Sequence, residues 1–335
     1  MLDIIKYLKK YPQDNPFRVF VENAYNENHT PRIPEGVVSL NALQPLFRVL
    51  QTLKCYSVNA FNSFVSDKLA AKKGKVDFDE HNFISALCEL SFMYAFVSAS
   101  DQPDSFQYEP RLIEGSNKNI EFSIVINGLR YDVEVKSANM IKQTKEFVDN
   151  MEKSGVAIEP HARMLPYNEW KNIPGDTPLM GSQDNKVADF IESAQEKFPK
   201  VTDSIHLLVI CWDGQYRKAL TALKSENSGL LTTNTYRPDL KYDHISHVIV
   251  TSQYGFLFDW MRGELPQLYA QDPINLRYAY NFIIDYNINK PNDIKDRLKG
   301  ILGCEELTVV DENYVENNCY AVSFSVDLPI QNRIK

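Results

Sequence analysis

Apolar and polar residues alternate with period two on both sides of Asn127-Gly128, and this is the sharpest pattern in the chain. Asn-Gly between two alternating runs predicts a β-hairpin closed by a two-residue loop. With that pair at the tip, residues whose numbers sum to 255 stand opposite each other across the segment NIEFSIVINGLRYDVEVKS. Phe122 then faces Val133, Ile124 faces Tyr131 and Ile126 faces Leu129, so one surface of the hairpin is apolar. The other surface sets Ser123 against Asp132 and Glu121 against Glu134, with Lys136 two residues further along. Like charges directly opposite in a sheet, with side chains about 5 Å apart, destabilise it. Such a pair makes sense where something cationic binds between the two carboxylates; a solvated polar face is the plainer reading.

Elsewhere the apolar spacing changes to three and four, the helical signature. It predicts helices over residues 3–10, 40–53 and 58–71, interrupted by Pro12, Pro31 and Pro34. The segment AAKKGK that closes the third of these reads as a solvated basic helix end. Residues 79–96 form a more uniformly apolar helix in which Glu89 is the only interior acid. A carboxylate there is costly unless exposed or paired. A first strand is expected over 106–113, followed by the turn EGSNK and the hairpin. Residues 139–182 show no persistent period and hold Pro160, Pro166, Pro174 and Pro178, as a functional loop, a lid or a mobile insertion would. Beyond it, residues 183–198 carry the stripe Val187, Phe190, Ile191, Ala194 and Phe198 of an amphipathic helix. The run Ile205–Cys211 is apolar throughout, as suits a strand buried on both faces. A further strand centres on His247–Thr251, then a helix over Ile294–Leu302 and strands over 306–310 and 320–326. The pattern divides the chain into an N-terminal helical region (1–78), an α/β core (79–255, with the insertion 139–182) and a C-terminal α/β extension (256–335), with a candidate linker near 230–243.

Composition narrows the class. At 335 residues, 44% hydrophobic and 24% charged, the chain has ample material for a core. No apolar run has the length of a membrane span, and the start MLDIIKYLKKYPQD, with an acidic residue at once, lacks the apolar region of a secretory signal. Five scattered cysteines without a C-x-x-C read as reduced thiols in a cytoplasmic protein and argue against structural zinc. A formal charge of −8 is unlike that of a dedicated polyanion binder, so contact with nucleic acid would need local patches and metal ions. The chain has no G-x-S-x-G, no G-x-x-x-x-G-K-[ST] and no G-x-G-x-x-G. Serine hydrolases, P-loop NTPases and dinucleotide enzymes therefore lose their usual signatures. His244 and His247 are spaced like metal ligands but enter a β-rich run, where residues three apart face opposite sides.

Taken together, helix 79–96, the strands ending at Lys136, helix 183–198 and the strand Ile205–Cys211 resemble the PD-(D/E)xK nuclease superfamily. The resemblance covers roughly residues 80–212 and implies a restriction-endonuclease-like α/β core, a mixed central sheet flanked by helices. Its Glu-x-Lys is Glu134-Val135-Lys136, its second-strand acid is Glu121 in Asn-Ile-Glu-Phe, and its helix glutamate is Glu89. The sequence departs from the family where Glu121 replaces the usual aspartate and no proline precedes it.

What the resemblance implies is a metal-dependent deoxyribonuclease, acting in restriction or defence against foreign DNA. Mg²⁺, with Mn²⁺ as substitute, would be held by Glu121, Glu134 and the Val135 carbonyl, with Glu89 binding or orienting alongside, and Lys136 would position the attacking water. Hard oxygen ligands suit those ions. DNA is the expected partner, with a homodimer or larger complex for double-strand cleavage and no membrane. Asp132 reads as a surface partner of Ser123 or a nearby base. Lys186 and Gln195 on the later helix either approach the site or belong to a solvated face. Arg163, Trp170 and Lys171 in the insertion either grip nucleic acid or sit in a surface loop. Two rivals remain: an inactive nuclease-fold protein serving as a binding or assembly module, favoured by the Glu121 substitution, and an unrelated α/β protein whose hairpin has a polar face.

Overall fold

In the computed structural model, the described residues are residue 13, those between 40 and 303 apart from 139–182 and several short breaks, and 308–309. The expected helix over 3–10, the strand over 320–326, and Arg163, Trp170 and Lys171 fall outside them.

The chain builds an α/β structure around one seven-stranded mixed sheet whose strands lie in sequence order. These are β1 (Ser105–Tyr108), β2 (Phe122–Ile126), β3 (Leu129–Ser137), β4 (Ile205–Cys211), β5 (His247–Thr251), β6 (Asn281–Asp285) and β7 (Thr308–Val309). The pairings β1–β2, β2–β3 and β5–β6 are antiparallel, whereas β3–β4, β4–β5 and β6–β7 are parallel. The α-helices longer than four residues are α1 (Leu40–Tyr56), α2 (Val58–Ser63), α3 (Glu80–Ser98), α4 (Gln183–Gln195), α5 (Tyr216–Lys224), α6 (Gln253–Met261) and α7 (Ile294–Leu302), with α4, α5 and α7 lying in the crossovers that the three parallel pairings require.

The hairpin forms in the expected register, with Phe122 opposite Val133, Ser123 opposite Asp132, Ile124 opposite Tyr131 and Ile126 opposite Leu129. Its tip holds Asn127 at φ 51° and Gly128 at φ 73°, the left-handed pair a two-residue hairpin loop needs. The start of α3 is set by Asp79, whose carboxylate accepts the Asn82 N–H at 3.0 Å. β1 is shorter than expected. Glu109 takes φ 47°, and Pro110 has no N–H to donate, so strand geometry stops at Tyr108.

Two core layers sandwich the sheet. One packs α1–α3, α6 and α7 against Phe122, Ile124, Val133, Val135, Leu207 and Val209. The other packs α4 and α5 against Leu208, Ile210, Val248, Val250, Phe282 and Ile284. β4 is buried on both faces, and the expected α4 stripe from Val187 to Phe198 is buried as well. α5, α6 and β6 were not anticipated; β6 pairs with β5, so the sheet runs on past residue 255. No described helix is long and apolar enough to cross a membrane.

Candidate active site

The middle of the hairpin's polar face, Ser123, Asp132 and Glu134, is buried. It turns toward the α4–α5 layer, since Glu134 lies across from Leu208 and Lys136 from Ile210. Asp132 is accordingly 1% exposed, not a surface residue. It does partner Ser123, whose hydroxyl donates to it at 2.6 Å, and Arg130 donates at 2.9 Å. His206 Nε2 is 3.4 Å from its other oxygen, while His206 Nδ1 meets the His244 carbonyl at 2.7 Å and Phe198 stacks on the ring at 4.8 Å. This network braces the sheet beneath Glu134.

Glu134 is wholly buried. Its Oε1 is bonded by Lys136 Nζ at 2.6 Å and by Lys197 Nζ, which arrives from the turn after α4. Its Oε2 is buried with no hydrogen-bond partner. Burial drives the Glu134 carboxyl pKa upward; Lys136 opposes this and the charge of Glu121 adds to it. Lys136 loses by burial but gains more from Glu134, so its ammonium is held more tightly than usual.

Glu121 sits one residue before β2, and its N–H continues the ladder to the Val133 carbonyl at 3.1 Å. From the other layer, α3 brings in Glu89. Lys68, in the π-helical turn Phe64–Lys68 that extends α2, bonds Glu89, reaches Glu121 at 3.0 Å and lies 3.3 Å from Glu109. Its ammonium also stands 5.3 Å from the Phe64 ring centre and 5.5 Å from that of Tyr108. One ammonium thus serves three carboxylates. Glu89 has its pKa pushed up to about 8 by burial and by Glu121, against the pull of Lys68. Burial works against the Lys68 charge, but Glu89 and Glu121 more than reverse this and raise its pKa.

Glu89, Glu121, Glu134 and Lys136 therefore come together, from α3, the start of β2 and the end of β3. Val135 lies between Glu134 and Lys136 in the β3–β4 ladder, its side chain in the opposite core layer. No family model, curated protein or solved structure matches this chain.

The sequence reading missed Lys68, Lys197 and Glu109. Helix-end lysines carry no local mark of a partner more than fifty residues away. Lys186 and Gln195 do not join the site: Lys186 lies over the Phe190 ring at 5.1 Å, and Gln195 bonds Asp243 at 2.6 Å and the His244 N–H at 3.1 Å. His244 in turn meets the Gln195 and Phe198 carbonyls, a structural use of that ring.

Among the described residues, no group of three or more His, Cys, Asp or Glu is gathered as a metal cage. Lysine ammonium groups stand against each carboxylate instead. In donor chemistry the residues do suit a divalent ion: hard carboxylate oxygens face one another, and the buried Glu134 Oε2 lacks a partner. Binding would require Lys68 or Lys197 to withdraw.

Proposed function

We propose that the protein is a metal-dependent nuclease with a restriction-endonuclease-like core, hydrolysing phosphodiester bonds of DNA. The observation that carries this reading is the buried Glu134 carboxylate, with one oxygen unpartnered, set beside Glu121 and two residues from Lys136 on the same strand face. The succession of α3, the three antiparallel strands, α4 and β4 supports it. Mg²⁺ or Mn²⁺ would be held by Glu121, Glu134, the Val135 carbonyl and Glu89. Such an ion, when bound, polarises the phosphoryl oxygen and lowers the pKa of a water nucleophile. Glu134 would fix the orientation of the Lys136 ammonium through their 2.6 Å bond. Lys136 would hold the attacking water and offset charge growing on the phosphate. The setting proposed is restriction or defence against foreign DNA inside the cell, by analogy alone, with a dimer or larger assembly for double-strand breaks.

Cleavage of supercoiled plasmid and of linear single- and double-stranded DNA with Mg²⁺ or Mn²⁺, wild type beside Lys136→Ala, tests the reading. Metal-dependent cutting by wild type, reduced at least 100-fold in the variant, is the expected result (on the order of 3 kcal/mol of transition-state stabilisation). No cutting by well-folded wild type, with no calorimetric Mn²⁺ binding, would sink it.

A specific observation favours a second reading, an inactive nuclease-fold module that binds nucleic acid or assembles with partners. Lys68 and Lys197 already neutralise the carboxylates, as internal cations would in a site that no longer takes a metal. Restoration of Mn²⁺ affinity in Lys197→Ala, absent in wild type, would select this reading.

A further inference from the structure

We propose that Tyr280 is a stacking platform for an unpaired base of the strand being cut, so that the substrate enters as single-stranded DNA. This deepens the nuclease reading and rests on it for the identity of the ligand. Three rings stand in a stack: Phe282 and Tyr216 with centres 5.1 Å apart and planes 22° apart, then Tyr216 and Tyr280 at 5.7 Å and 29°. The stack is anchored at one end, where Phe282 is buried in the α4–α5 layer, and open at the other, where Tyr280 is 66% exposed.

Its position ties it to the candidate active site. Lys136 lies across from Ile210, Ile210 from Val250, and Val250 from Phe282, so the row from Lys136 to Phe282 runs along one face of the sheet. Hydrogen bonds continue along that edge: Ala138 N–H to Cys211 O at 3.3 Å, Trp212 N–H to Thr251 O at 3.3 Å, and Ser252 N–H to Tyr280 O at 3.0 Å. Three strand spacings, about 14 Å, separate the two ends. This edge includes the carboxyl ends of β3, β4 and β5, where open α/β sheets bind ligands.

The surroundings of the rings select the occupant. Arg217 and Lys218, both exposed, follow Tyr216 in the first turn of α5, so the helix that supplies the middle ring also carries two cations in a chain of net charge −8. Aromatic faces flanked by local positive charge are what single-stranded nucleic acid uses, because every base has a face to stack. A base inside a duplex is already stacked on both sides and cannot offer that face without being extruded.

Fluorescence anisotropy with labelled single-stranded oligothymidylate, in EDTA so that nothing is cut, reads the platform directly. Wild type binds the single strand more tightly than the corresponding duplex. Tyr280→Ala weakens single-strand binding roughly 5- to 100-fold, the span of one lost stack, and Tyr280→Trp retains it with quenching of the new indole by the oligonucleotide. Because Tyr280 is mostly exposed, the alanine variant keeps the wild-type melting temperature. Equal binding by Tyr280→Ala and wild type overturns the platform, as does absence of single-strand binding by wild type. Cutting assays separate this from the nuclease reading: cutting that is lost in Lys136→Ala but unchanged in Tyr280→Ala leaves the nuclease and removes the platform. Single-strand binding lost in Tyr280→Ala, without any cutting by wild type, leaves the platform and removes the nuclease.

Discussion

Removing the Asp132 carboxylate would strand the Ser123 hydroxyl and the His206 ring in the interior and deprive Arg130 of its anchor. Breaking a buried network by deleting one partner costs far more than the network's net worth, so Asp132→Ala should lose about 2–4 kcal/mol in urea unfolding. Asp132→Asn should lose less, because its amide oxygen still accepts the serine proton. The pH dependence has a definite sign. Burial pushes the Asp132 pKa up, but the bonds from His206, Ser123 and Arg130 outweigh it and hold the carboxyl below its ordinary value. A depressed folded-state pKa means the contribution is present above the unfolded value of about 4 and disappears as the pH falls through the folded one. Below about pH 4, then, wild type should lose the margin it holds over Asp132→Ala; a margin that stays constant down to acid would show that His206 and Ser123 do not favour the ionised form.

Elements here are set by short-range chemistry wherever a turn is tight. The segment after α5 folds back so that Leu230 and Leu231 bond the Ala222 and Leu223 carbonyls, and Gly229 makes this possible. A Cβ there would lie 2.6 Å from the Ser225 nitrogen and 2.7 Å from the Leu223 oxygen, both backbone atoms that cannot swing aside. Gly229→Ala should therefore destabilise by about 1–3 kcal/mol, as overpacking does. Gly255→Ala, inside α6 with nothing within reach of its Cβ, serves as the contrast and should be neutral or stabilising. Thermal melts of the two variants settle the comparison, and equal melting temperatures would refute it.

Across the molecule, the sheet ignores the border between the expected core and the C-terminal extension at 255/256. β6 pairs with β5 over five residues, and the amide of Gln253, at the head of α6, donates to the Pro273 carbonyl at 2.9 Å. α7 adds Ile294, Leu298 and Leu302 to the layer beneath α3. A chain cut at residue 255 would leave β5 as a bare apolar edge and uncover α3. Such edges aggregate. Expression of residues 1–255 should give insoluble or partly folded material, judged by near-ultraviolet dichroism and sedimentation; a monodisperse, cooperatively melting product would show that the extension is separable.

Read from sequence alone, the hairpin was legible to the residue. A left-handed loop requirement at Asn127-Gly128 and a strict period of two leave only one register that buries Phe122, Ile124 and Val133. The same local rules placed β4, the buried stripe of α4 and the span of α7, because each is decided by side chains within a few residues of one another. The site carboxylates were legible for that reason too: Glu121 and Glu134 follow from the register. What only the tertiary structure decided is which face of that hairpin is covered and by what. Lys68 lies 21 residues from Glu89 and 53 from Glu121, and Lys197 lies 63 from Glu134; no periodicity encodes contacts of that range. Burial among Ser123, His206 and Arg130 turns Asp132 from a surface acid into the centre of a network, and the order of strands alone carries Tyr280 to the edge that Lys136 occupies. Local chemistry selects the elements; the free energy of burying their apolar faces selects their neighbours, and only that second choice makes a site.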